Sequence, residues 1–215
     1  MKIYKLPTQI ETIIFDIDST LYTNAEYATE QVDIQIRYFA DLKGISHQVA
    51  RKQIQDYKYN WECQHNGQKL SLANTLVAFG IPIEQSIIWR QQLLEPADFL
   101  CKDTLLQKTL KLLSQRFKLI CVTNNPVLPA KKTLEVLGVA DLFKENLIGL
   151  DTCGVSKPHS KPFLLAAERT NTSIPHCISI GDRYHIDIEL PLEMGMGAIL
   201  VDGVKDVYSL PELLK

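Results

Sequence analysis

Three short apolar runs in this chain each end in polar residues, and that pattern constrains the fold more than any other feature. Thr12-Ile13-Ile14-Phe15 runs into Asp16-Ile17-Asp18-Ser19-Thr20. Leu119-Ile120-Cys121-Val122 runs into Thr123-Asn124-Asn125, and Cys177-Ile178-Ser179-Ile180 into Gly181-Asp182, with Asp187 just beyond. Short apolar segments with few polar interruptions suit strands buried on both faces of a parallel sheet. In open α/β sheets the ligand site lies outside the carboxyl ends of the strands. The pattern predicts an α/β fold, a doubly wound three-layer sandwich around a parallel sheet. Asp16, Asp18, Thr123 and Asp182 are then expected along one edge of that sheet.

A doubly wound sheet normally returns to its next strand after one crossover helix. Here the first strand ends near Asp16 and the next clear one begins near Phe117, so a segment has been inserted. Thr23-Asn24-Ala25-Glu26 reads as a capping box, with Ala25, Ala28, Val32, Ile36 and Phe39 at helical spacing until Gly44. Ser46 is placed to cap a second helix carrying Ala50, Ile54, Tyr57 and Trp61, and His65-Asn66-Gly67 reads as a turn. Leu72, Leu76 and Phe79 mark a third helix, closed by Gly80 and Pro82, and Ile83 to Leu94 a fourth. The expected division is an α/β core of residues 1–22 and 97–215 and an inserted helical cap of residues 23–96. In the core, helices near Thr104–Gln115, Pro129–Leu137 and Phe163–Arg169 alternate with strands near Phe117–Val122, Asn146–Leu150, 177–180 and 198–201.

Taken in order, the polar segments resemble the four motifs of the haloacid dehalogenase superfamily. Asp16, Asp18 and Thr20 match its Asp-x-Asp-x-Thr, and Thr123 its Ser or Thr closing an apolar strand. Lys157-Pro158, with Phe163 beyond, matches its Lys, and Gly181-Asp182 through Asp187 its acidic pair. Phe15 to Tyr22 is most similar to the pyrimidine 5'-nucleotidase-like branch. Position 19 is Ser where relatives commonly carry Gly or Asn. The resemblance implies a capped phosphatase that acts through an aspartyl-phosphate on a small phosphorylated metabolite, a nucleoside monophosphate being the first guess. Asp18 supports phosphate-ester chemistry, because dehalogenase-like members lack that second carboxylate.

The residue types suit this chemistry. Phosphate-ester cleavage needs an in-line nucleophile, neutralised non-bridging oxygens and a proton for the leaving group. Asp16 at the strand end is the expected nucleophile. Residues two apart in extended backbone share a side, which places Asp18 beside it as general acid and base. Magnesium prefers oxygen ligands, which Asp16 and Asp182 supply; the family pattern adds the backbone carbonyl of Asp18. The hydroxyl of Thr123 and the backbone amide of Asn124 are expected on the phosphoryl oxygens, and Lys157 balances their charge. Asp187 either meets metal-bound water or fixes Lys157. In the cap, the polar and aromatic stretch Tyr57-Lys58-Tyr59-Asn60-Trp61 with His65, Asn66 and Lys69 is the expected substrate contact, His65 and Lys69 foremost. Tyr57 and Trp61 are more simply read as packing the cap.

Each motif alone is commonplace, since strand-end aspartates often cap helices and Gly-Asp is usually a turn. Together they must explain four coincidences in order. A calcium loop over residues 16–27 fails, because Leu21 takes the glycine position and Tyr27 that of the final glutamate. A receiver-like phospho-signalling module also gathers aspartates, a Thr and a Lys at strand ends, but it has no large helical insertion. A sugar-phosphate phosphomutase of the same fold shares all four motifs. A net charge of −2 gives no electrostatic case for nucleic acid or an anionic membrane. No apolar run approaches the roughly 20 residues that span a bilayer. The N-terminal segment lacks the apolar core of a signal peptide, and the five cysteines form no Cys-x-x-Cys pair. A cytoplasmic protein with reduced thiols is expected.

Overall fold

The apolar runs become strands because each can bury both faces at once. In the computed structural model, which describes residues 1–65, 67 and 69–214, β1 is Lys2–Lys5 and β2 is Thr12–Phe15. The remaining strands are β3 (Lys118–Val122), β4 (Leu147–Ile148), β5 (Cys177–Gly181) and β6 (Gly197–Leu200). They form one sheet in the order β1-β6-β5-β2-β3-β4. Only β1 runs antiparallel to its neighbour. Ile14, Ile120 and Val122 share a cluster with Phe163, Ala166 and Ala167 of the helix Ser160–Arg169. Phe15 alternates to the opposite face, where Phe143 meets its ring edge-on at 6.4 Å.

The register positions the site. Phe15 lies opposite both Cys121 of β3 and Ile180 of β5. Asp16, Thr123 and Asp182 each follow the last residues of these three neighbouring strands. Their convergence at one sheet edge is therefore a consequence of parallel pairing.

Backbone contacts divide the chain into two units: Met1–Ala25 with Glu95–Lys215, and Glu26–Leu94. The first unit holds the sheet. The second draws on the helices α1 (Ala25–Lys43), α2 (His47–Gln64), α3 (Leu72–Ala78) and α4 (Ile83–Leu93). Its own core joins Ile36, Phe39 and Ala40 to Ala50, Ile54, Leu76 and Trp89. Ser46 and Ser71 cap α2 and α3 by accepting the Val49 and Asn74 amides at 3.3 and 3.2 Å. Tyr57 packs edge-on against Phe79 at 5.6 Å.

Two local features differ from the sequence expectation. Thr23 does not cap α1, which begins at Ala25; its hydroxyl instead accepts the Val204 amide at 3.0 Å. The edge strand β1, mostly exposed and polar, carries no apolar run to announce it and exists through its pairing with β6. Among the described residues, no helix is long and apolar enough to cross a membrane. All five cysteines are free: Cys121, Cys153 and Cys177 are buried, and Cys63 and Cys101 are exposed.

Phe143 is 1% exposed. Phe143→Ala should cost about 3–5 kcal/mol, the usual loss for deleting a buried aromatic ring. Urea unfolding should show a lower midpoint at unchanged slope; a loss below about 1 kcal/mol would mean that the ring is not part of the core.

Candidate active site

The edge of the sheet gathers its polar groups around one ammonium. Lys157 Nζ donates to Asp16 Oδ1 at 2.8 Å and to Asp187 Oδ1 at 2.6 Å, and all three side chains are at most 2% exposed. Asn124, at the end of β3, fixes the lysine's backbone from both sides: its Oδ1 accepts the Lys157 amide at 2.7 Å and its Nδ2 donates to the Lys157 carbonyl at 3.1 Å. The Asn124 side chain is thus committed to holding the Lys157 loop. Of the two parts open to Asp187, the structure displays the contact with Lys157. Asp187 is delivered by a single π turn, Tyr184–Ile188, and its Oδ2 accepts the Arg183 amide at 3.1 Å. A side chain at Gly181 would collide with Asp187, since an added Cβ would sit 2.5 Å from Asp187 Cγ.

Asp18 occupies a different environment from Asp16. Its Oδ1 accepts from the Tyr22 hydroxyl at 2.6 Å, and its Oδ2 from Asn125 Nδ2 at 2.9 Å and the Thr123 hydroxyl at 3.4 Å. The Thr123 hydroxyl also accepts the Asn125 amide at 3.1 Å. Between Asp18 and Thr20 the chain turns through Ser19 at φ 58°, in the left-handed region that favours Gly or Asn. That is the physical reason for a small residue there.

Asp16, Asp182 and Asp187 offer carboxylate oxygens all within 4.8 Å of one another. Asp187 completes this side-chain cluster, while Asp18, expected through its backbone carbonyl, adds no side chain to it. Two buried carboxylate oxygens, Asp16 Oδ2 and Asp182 Oδ1, have no hydrogen-bond partner among the described residues, and neither has the buried Thr20 hydroxyl. Buried polar atoms in folded proteins are almost always satisfied. Hard carboxylate oxygens left bare side by side are the donor set that a small divalent cation takes. The residues therefore fit a cation.

Burial pushes the Asp16 carboxyl up to about 7, against the pull of Lys157. Burial likewise raises Asp182, against Arg183. For Lys157 burial works downward, but Asp16 and Asp187 outweigh it and hold the ammonium above its ordinary value. Three groups near the site escaped the sequence reading: Tyr22, Asn125 and Arg183. All lie within or beside segments that it singled out, so polar neighbours of a motif were the available signal. In the second unit, the His65 ring stacks on Trp61 at 3.7 Å and its Nδ1 donates to the Trp61 carbonyl at 2.8 Å. Lys69 is exposed, and Asn66 lies outside the described residues.

The haloacid dehalogenase-like hydrolase family matches residues 10–195, a span that contains Asp16, Asp18, Thr123, Lys157, Asp182 and Asp187. The chain belongs to that family. This hydrolase is 27% identical over 183 residues to the phosphoglycolate phosphatase of Colwellia psychrerythraea, covering 80% of this chain and 76% of that protein. It is 24% identical over 217 residues to the 5-amino-6-(5-phospho-D-ribitylamino)uracil phosphatase of Escherichia coli, covering 92% and 86%. Among solved structures, a HAD phosphatase from Thermococcus onnurineus superposes with a TM-score of 0.64 over 95% of this chain and 98% of that one. At 20% identity that likeness speaks to the fold. Membership in the hydrolase family, with its helical insertion, removes the receiver-like alternative.

The raised Asp16 carboxyl has a consequence for stability. Its folded pKa, about 7, exceeds the ordinary 3.8, so between those values the folded state binds more protons than the unfolded state. Stability then falls as pH rises through that window. In chelator at neutral pH, Asp16→Asn should melt about 2–4 °C above the wild type, the shift that roughly 1 kcal/mol produces in a chain of this size. The gap should close toward pH 4. Equal melting temperatures at both pH values would remove buried negative charge as the cause.

Proposed function

We propose that this hydrolase cleaves phosphomonoesters of small metabolites through an aspartyl-phosphate on Asp16, with magnesium held by Asp16 and Asp182 and the backbone carbonyl of Asp18. The observation that carries the reading is Asp16 itself, with one carboxylate oxygen on Lys157 and the other buried without a donor among the described residues. The bound cation would offset the repulsion between the Asp16 carboxylate and an incoming phosphate. Asp16 attacks phosphorus, forming an O–P bond as the ester's O–P bond breaks. Asp18 gives its proton to the departing oxygen and then takes one from the water that attacks the phosphoryl group. That water's oxygen leaves in inorganic phosphate, and Asp16 is regenerated.

The remaining residues support these steps. Tyr22, Asn125 and Thr123 hold Asp18 by three donors, which orient a group that must alternate between acid and base. When a phosphoryl group binds, the single Thr123 hydroxyl proton turns from Asp18 to its oxygens, and the Asn124 backbone amide is a second donor. Lys157 offsets charge on Asp16 and the phosphate, and Asp187 holds Lys157 in place. The two phosphatase relatives carry names that denote small phosphorylated compounds, which supports a substrate of that class, nucleoside monophosphates included.

Purified protein should release inorganic phosphate from an aryl phosphate, stop in chelator and resume with magnesium. Isomerisation without release would favour the phosphomutase reading instead. Asp16→Asn should lose at least about 10⁴-fold in kcat, the scale of a deleted nucleophile. Asp18→Asn should lose roughly 10²–10⁴-fold on alkyl phosphates, which need a proton donor, and much less on a good aryl leaving group in the phosphorylation step. Equal losses on the two classes would strip Asp18 of the acid role.

The inserted helical unit is proposed to set specificity as a cap, through His65 and Lys69. On the best natural substrate, His65→Ala and Lys69→Ala should each lower kcat/KM about tenfold, the scale of one lost hydrogen bond, while sparing a small aryl phosphate. No change on either substrate would move specificity elsewhere in the insertion.

A further inference from the structure

The mechanism above leaves Arg183 without a part, yet its placement is the least ordinary in the site. Its backbone is tied down, donating to Asp187 Oδ2 at 3.1 Å and accepting the Asp187 amide at 2.8 Å. Its guanidinium sits over the carboxylates without bonding to them. Nη2 lies 3.7 Å from Asp16 Oδ2, and Nε lies 3.6 Å from Asp182 Oδ1 and 3.9 Å from Asp187 Oδ2. These are ion-pair distances, too long for hydrogen bonds. The two nearest oxygens are the two carboxylate oxygens without a hydrogen-bond donor among the described residues.

Charge and shape account for that position. Asp16 and Asp187 are buried and Asp182 is partly so, while Lys157 supplies one positive charge. An arginine is charged at every accessible pH and is drawn to the remainder. Oxygens converging within 4.8 Å suit a compact ion with ligand distances near 2.1 Å, not a planar fork. The side chain is 49% exposed, so it can swing toward solvent while its backbone keeps hold of Asp187.

We propose that Arg183 is a built-in competitor for the cation pocket: its guanidinium supplies the missing positive charge when no divalent ion is bound and withdraws when one enters. The idea rests on the cation reading given above. Two cations facing the same carboxylates repel, so Arg183 weakens metal binding and keeps it readily reversible. It also makes Arg183 a positioning residue, acting on the pocket and not on the substrate.

Calorimetric titration of chelator-stripped protein with magnesium tests this directly. Arg183→Gln should bind magnesium about tenfold more tightly than the wild type, the effect of removing one half-exposed like charge a few ångströms away. Arg183→Lys keeps the charge and should stay within about threefold of the wild type. Equal or weaker binding by Arg183→Gln overturns the competition while leaving the cation site standing. No binding to any of the three proteins overturns the cation site and the competition with it. A second measurement needs no variant: phenylglyoxal labelling of Arg183 in the wild type, read by peptide mass spectrometry. Magnesium should increase labelling as the guanidinium is expelled, and protection or no change overturns the proposal.

Discussion

One buried ammonium organises the working end of this protein. Lys157 Nζ sits between Asp16 and Asp187 with all three side chains almost wholly removed from solvent. Removing an ion from water costs several kcal/mol, and a buried charge that loses its partner leaves that cost uncompensated. Lys157 must therefore keep an acidic partner, and its two candidates come from different places. Asp16 follows β2, Lys157 lies in a loop beyond β4, and Asp187 comes from the π turn after β5. Asn124 adds the end of β3 through its two-way bond to the lysine backbone. Contacts around one lysine thus tie the ends of β2, β3 and β5 to the loop that carries Lys157.

The same cluster is out of balance, and that imbalance is its usefulness. One lysine cannot neutralise Asp16, Asp182 and Asp187 together. Burial raises the Asp16 carboxyl, with the neighbouring Asp187 and Asp18 charges adding to it, and two carboxylate oxygens have no hydrogen-bond donor among the described residues. A fold selected for stability alone would have no reason to keep such an arrangement. The proposed function, which needs a cation and brings an anionic phosphate against a carboxylate, gains from it.

Two aspartates two positions apart end in contrasting surroundings. Asp16 is buried against a lysine, whereas Asp18 is held by a tyrosine hydroxyl, an asparagine amide and a threonine hydroxyl. Different environments are what the two roles proposed for Asp16 and Asp18 require of one residue type. The turn at Ser19 sends the chain from one environment toward the other.

Much of this could be read in the amino-acid sequence, because hydrophobic periodicity and strand-end polarity are local signals. The apolar runs at Ile13–Phe15, Leu119–Val122 and Ile178–Ile180 imply buried parallel strands, and parallel pairing brings their ends to one edge. The helices of the insertion announce themselves through the Ser46 cap and the spacing of Ile36, Phe39 and Ile54. What only the tertiary structure decided depends on distance between residues remote in the chain. The edge strand β1 exists because β6 offers a partner, and Thr23 bonds to Val204 instead of capping a helix. The contact of Asp187 with Lys157 joins residues 30 positions apart, and Asn125 reaches Asp18 across 107. Arg183 follows Asp182 directly, yet no local signal tells that its guanidinium lies over Asp16. Electrostatics acts through space, and a linear pattern records which charges are present but not which of them meet.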